Sequence, residues 1–134
     1  MSKTKSKMNQ QIDEMLAALR SFNLPVFEDE VAEDEQEKFK KDGHHFFVYS
    51  TGDMVVKNDG KSIVQDIAVF YYSENLDNLD ERIVDIIQAI PNNNLFRLER
   101  TSKQRLQRKD TDGYVDRVVI MYNRIIVIQG CVLR

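Results

Sequence analysis

Met8, Ile12, Met15, Leu16 and Leu19 recur at three- and four-residue spacing, which predicts an amphipathic helix over residues 6–22. That helix ends before Pro25, whose missing N–H and fixed φ cannot continue it. Leu24, Pro25, Val26 and Phe27 read as a short extended piece suited to a sheet edge, since proline cannot donate to a ladder. From His44 the pattern turns to strand. Phe46-Phe47-Val48-Tyr49 and Met54-Val55-Val56 precede the turn Asn58-Asp59-Gly60, and residues 62–72 return as Ser62 through Tyr72. Glycine at the turn accepts positive φ without a Cβ clash, and Thr51-Gly52 marks a bulge in the outgoing arm. Leu76, Leu79, Ile83, Ile86, Ile87 and Ile90 then form one helical stripe, with Asp80, Glu81, Arg82 and Asp85 turned to water. Pro91 and three asparagines stop it.

Phe96, Leu98 and Leu106 mark the first arm of a second hairpin, residues 109–113 its turn, and residues 114–128 its return arm. Along that arm Val118, Ile120 and Tyr122 alternate with Val119, Met121 and Ile125, so both faces are apolar and cover on both is expected. Helices would supply one cover and a neighbouring subunit the other. Phe70-Tyr71-Tyr72 leads to the same expectation, because three consecutive strand residues must place rings on both faces. The order helix, hairpin, helix, hairpin predicts one α+β domain over residues 1–134: an antiparallel sheet of two β-hairpins packed with two main helices. Residues 1–6 are expected to be a flexible tail and residues 28–38 an exposed acidic segment.

A chain of 134 residues can bury a core without disulfides or metals, and the single Cys131 cannot form an internal bridge. No apolar run approaches the roughly 20 residues that cross a bilayer, so no membrane partner is expected. The basic start Lys3, Lys5, Lys7 leads into no signal-peptide core, and the chain should stay in the cytosol where it is made.

Charge changes this picture more than composition does. Residues 1–94 hold 10 Lys/Arg and 18 Asp/Glu, a net of −8, whereas residues 95–134 hold 9 and 4, a net of +5. Such a division suits two surfaces with different partners, or copies that meet through opposite charge, and it also arises when solvated faces simply differ. The acidic end is concentrated in Glu28, Asp29, Glu30, Glu33, Asp34, Glu35 and Glu37, an exposed loop or else a short helix over residues 32–40 anchored by Phe39. The basic end is concentrated in Arg97, Arg100, Lys103, Arg105, Arg108 and Lys109, with Glu99 the one opposing charge among them. Residues 100–109 are too polar for a core, so this arm is expected to project from the body. It could track phosphates by releasing counterions, dock an acidic protein surface, or be solvated. No aromatic interleaves the cations for base stacking, and no helix-turn-helix or zinc-finger spacing accompanies them.

Catalysis has little to draw on. His44 and His45 are adjacent, so on a strand they face opposite ways and do not share a metal. No Cys-x-x-Cys, His-Glu-x-x-His, phosphate-cradling glycine loop or Glu-x-Lys pair is present. Asp53, Asp59 and Asp66 read as turn and surface acids, and Cys131 has no near base to activate it. No enzyme, cofactor or metal is expected.

The N-terminal helix, the arms Phe46-Phe47-Val48-Tyr49 and Ile67-Ala68-Val69-Phe70-Tyr71-Tyr72, the helix Asn78-Leu79-Asp80-Glu81-Arg82-Ile83-Val84-Asp85-Ile86-Ile87 and a closing hairpin give an order of elements. In that order and in size, the chain resembles the tail-completion proteins of long-tailed bacteriophages, also described as tail-to-head joining or tail-terminator-like. The resemblance covers nearly the whole length and carries no site residue with it. It implies a noncatalytic structural subunit of the virion, made in the host bacterial cytoplasm and placed at the interface of tail and head. There a homo-oligomeric ring, a hexamer by that resemblance, joins the tail tube to the head connector and lets DNA pass without specific binding. On that reading the acidic segment lines or rims the channel, keeping DNA from sticking, and the basic arm contacts a partner or subunit. The alternative is a small nucleic-acid-binding module using residues 97–109.

Overall fold

Helix α1, Lys3–Arg20, lies across one face of a five-stranded sheet in the computed structural model, which describes residues 3–30, 44–107 and 113–128. The helix starts earlier than its apolar stripe does, so residues 3–6 of the expected tail are helical. The Thr4 hydroxyl donates to the Val127 carbonyl at 3.1 Å, which ties the polar first turn to the end of the sheet. After Arg20 the chain turns through Asn23, at φ 61°, and enters β1, Val26–Glu28. Strands β2, Phe46–Val56, and β3, Ser62–Glu74, form the first hairpin; α2, Leu79–Ala89, follows; β4, Phe96–Gln107, and β5, Tyr114–Val127, form the second.

The strand order is β1-β2-β3-β5-β4. Three of the four pairings are antiparallel, but β1 runs parallel to β2, so the sheet is mixed rather than wholly antiparallel. The α+β class holds, and the chain between Glu28 and Phe46 is long enough to allow the parallel pairing, whose crossover takes a dozen or more residues. Gly60 sits at φ 70° in the first hairpin turn and donates to the Lys57 carbonyl at 2.9 Å, as its sequence position implies. The bulge falls between Thr51 and Met54. Gln65 holds it by donating to the Gly52 carbonyl at 2.8 Å, and a Cβ on Gly52 would meet the Asp66 carbonyl oxygen at 3.3 Å.

Both helices cover the same face. Met15 and Leu19 of α1 and Ile83 and Ile86 of α2, followed by Ile90, pack on Phe47, Ile67, Val69, Tyr71, Val118, Ile120 and Tyr122. Each large apolar side chain removed from water in this way stabilises the fold by about 1.5–3 kcal/mol. Arg82 lies 4.7 Å above the Phe22 ring and links the second helix to the end of the first. At the other end Arg124, buried, donates through Nε to Gln65 Oε1 at 2.8 Å and through Nη1 to the Met8 carbonyl at 3.2 Å. Burial lowers its pKa from the ordinary guanidinium value. No helix among the described residues is long and apolar enough to cross a membrane.

Candidate interaction surface

The face of the sheet that no helix covers among the described residues carries the second expectation drawn from the sequence. Cross-strand partners share a face, so Phe70 and Tyr72 point away from the helices while Tyr71 points toward them. At the β1 end the open face forms a small core of its own: Phe46 and Val48 are buried against Phe27, Phe70 and Tyr72, with Phe46 stacked on Tyr72 at 4.5 Å. Toward β5 the face continues as Ala68, Val119 and Met121, all half-buried. Arg117 lies 5.1 Å from the Phe70 ring centre, its buried Nε without a hydrogen-bond partner. Asn123 donates to Asp66 at 3.3 Å, a polar rung beyond which Val55, Val64 and Ile125 make a second apolar row.

The basic strand does not project. From Arg100 to Gln107, β4 pairs residue by residue with β5, which pairs on its other side with β3 out to Glu74. A second bulge, between Leu98 and Arg100, changes which cations share a face. Arg97 and Arg100 are level with Asn123 and Met121 and lie on the open face; Lys103 and Arg105 are level with Val118 and Asp116 and lie on the helix side. Lys103 reaches Asp80 in the first turn of α2 at 2.7 Å, in an exposed pair. Arg105 clasps buried Asp116 at 3.0 and 3.4 Å and lies 3.8 Å above the Tyr114 ring. The hydrogen bond to Asp116 raises the Arg105 pKa above its ordinary value. Among the described residues Arg97 and Arg100, both exposed, have no carboxylate in ion-pair range. Arg108 and Lys109 lie outside the described residues. The strip of six cations therefore resolves into two engaged and two open within the described strand.

At the opposite edge of the sheet, Glu28, Asp29 and Glu30 are exposed around the end of β1. The Asp29 N–H donates to the Tyr49 carbonyl at 2.8 Å, which holds the acidic turn against β2. Its field is felt by Tyr49, whose phenol pKa is raised by burial and further by Glu28 and Asp29, with Arg20 opposing. Glu33, Asp34, Glu35 and Glu37, like the expected helix over residues 32–40, lie outside the described residues. So does Cys131.

Met54, Val55 and Val56 were expected to be an ordinary hairpin arm. They are 49%, 63% and 59% exposed, because three-residue β1 covers β2 only at Phe47, Val48 and Tyr49. Their apolar character was visible in the sequence; their lack of cover was not. Asp80, which engages Lys103, gave no signal either, since it lies on a different element 23 positions away; Asp116 faces Arg105 across the predicted second hairpin.

The two histidines separate as expected. His44 meets Glu74 at 2.5 Å and the His45 ring meets the Ser73 hydroxyl at 3.4 Å. No three His, Cys, Asp or Glu side chains among the described residues are grouped to hold a metal ion. A cleft of about 410 Å³ at the start of α2 mixes three carboxylates, Asp77, Asp80 and Glu81, with two cations, Lys103 and Arg105, which are paired with Asp80 and Asp116. Neither a family model nor a curated protein matches the chain.

Proposed function

We propose that this chain is a noncatalytic structural subunit of a phage virion, forming a homo-oligomeric ring that joins the tail tube to the head connector and lets DNA pass. The observation that carries the reading is one sheet whose two edges differ in charge: acidic at β1, basic and unengaged at Arg97 and Arg100 of β4. Ring closure needs heterologous contacts, in which one surface of a subunit meets a different surface of the next, and opposite charge sets that register. The apolar open face, with Val119, Met121 and Phe70 only half-buried, supplies further area for the tail-tube and head-connector partners. Acidic residues at the rim would discourage passing DNA from binding. Manufacture in the host bacterial cytoplasm and a final place at the tail–head interface follow from the same reading.

Electron microscopy of the purified chain tests it. Closed rings with an axial opening are the expected particles, and monomers at every concentration and salt would refute the proposal. Gel-shift binding to DNA separates the nucleic-acid alternative: the ring reading predicts weak binding abolished by physiological salt, because only two described cations of β4 are free of carboxylates.

A further inference from the structure

Strands β2, β3, β5 and β4 alternate in direction across the sheet. A second copy in the same orientation therefore presents β4 antiparallel to the β2 of its neighbour, the geometry of the pairings already present. Both edges are available for it among the described residues. Beyond Tyr49, β2 has no strand on its outer side, and β4 has none on its own. An apolar, exposed edge such as Met54, Val55 and Val56 is what isolated proteins normally blunt with charge or cover.

The rungs of the sheet align the charges. Glu28 pairs with Tyr49, Tyr49 with Val69, Val69 with Ile120, and Ile120 with Thr101. Thus Glu28 stands level with Thr101 at opposite ends of one rung, one step from Arg100, which lies on the other face of the sheet. By the same counting Ser50 is level with Ala68, Met121 and Arg100, and Met54 with Gln65, Arg124 and Phe96. A neighbour set level with its partner brings Arg100 to the acidic turn and Phe96 and Arg97 to the exposed apolar stretch of β2.

We propose that copies of this chain join head to tail, the β4 edge of one, at Arg97 and Arg100, docking on the outer edge of β2 and the acidic end of β1 of the next. The inference rests on the ring reading and names the surfaces that make it. Two charge-reversed proteins test it by native mass spectrometry. Arg97→Glu with Arg100→Glu makes the β4 edge acidic like the other; Glu28→Lys with Glu30→Lys makes residues 28–30 at the end of β1 net positive, and leaves Asp29 with its positive φ untouched. Each protein alone should assemble on the order of tenfold more weakly than wild type, whereas their mixture should regain alternating oligomers. Circular dichroism confirms that each is folded. Val55→Lys, at an exposed strand position, should weaken wild-type assembly independently of the acidic turn.

Wild-type assembly that none of these substitutions changes would overturn the edge pairing while leaving the ring reading intact. Edge-dependent assembly into open filaments would do the reverse. A wild-type chain that remains monomeric throughout would overturn both.

Discussion

Tyr122 is fully buried, its ring 5.1 Å from that of Phe96, and its hydroxyl has no hydrogen-bond partner. A buried hydroxyl left unpaired costs about 1–3 kcal/mol, while deleting one atom from a packed ring leaves little void. Tyr122→Phe should therefore stabilise the fold at pH 7 by about 1 kcal/mol, where most core substitutions destabilise. A second consequence appears in alkali. Burial pushes the Tyr122 phenol up to about 12 from an unfolded value of 10.0. Below the lower value both states keep the proton and its titration makes stability no more and no less dependent on pH. Between the two the unfolded chain releases the proton and the folded one retains it, so stability falls as pH rises. The full two-unit separation is about 2.7 kcal/mol, and roughly half of that is expected once water entry during breathing of the fold is allowed for. Urea denaturation of both proteins at pH 7 and near pH 11 measures each part. The phenylalanine variant should gain further on wild type in alkali; a variant less stable at pH 7, or a stability difference independent of pH, would refute the reasoning.

Three further outcomes follow from the fold. Arg124→Met should destabilise by about 2 kcal/mol in urea titration, because buried Gln65 and the Met8 carbonyl lose a charged donor. Lys103→Ala should cost less than about 1 kcal/mol, shrinking further in high salt, since its pair with Asp80 is exposed on both sides. Gly60→Ala should cost about 1 kcal/mol in thermal unfolding, from φ alone, as nothing lies within 4 Å of the added Cβ.

The features legible in the sequence are those set by local periodicity and local backbone demand. The isoleucine stripe of α2, the stop at Pro91, the glycine of the first turn and the division of Phe70, Tyr71 and Tyr72 between two faces all belong to this class. What escaped depends on tertiary partners. A three-residue strand such as β1 has too little pattern to reveal its direction, since the alternation that puts Val26 in the helix-side core and Phe27 in the opposite cluster is the same for a parallel and an antiparallel strand. The early start of α1 rests on a hydroxyl bonded to Val127, more than a hundred positions away. The bulge before Arg100 matters most for the surface. Strand side chains alternate with period two, so one inserted residue moves every later cation to the other face. Read as a string, the six cations looked like a single strip; in the sheet, Lys103 and Arg105 are engaged with Asp80 and Asp116 while Arg97 and Arg100 face outward.

The proposal that the two sheet edges meet between copies is tested most directly by backbone hydrogen exchange at low and high protein concentration. Concentration should slow exchange along β4 and at residues 51–56 together, while the central strand β3, already paired on both sides, keeps its rate. Exchange in β4 and the exposed stretch of β2 that stays the same across the concentration range, in a sample that has assembled, would contradict the account.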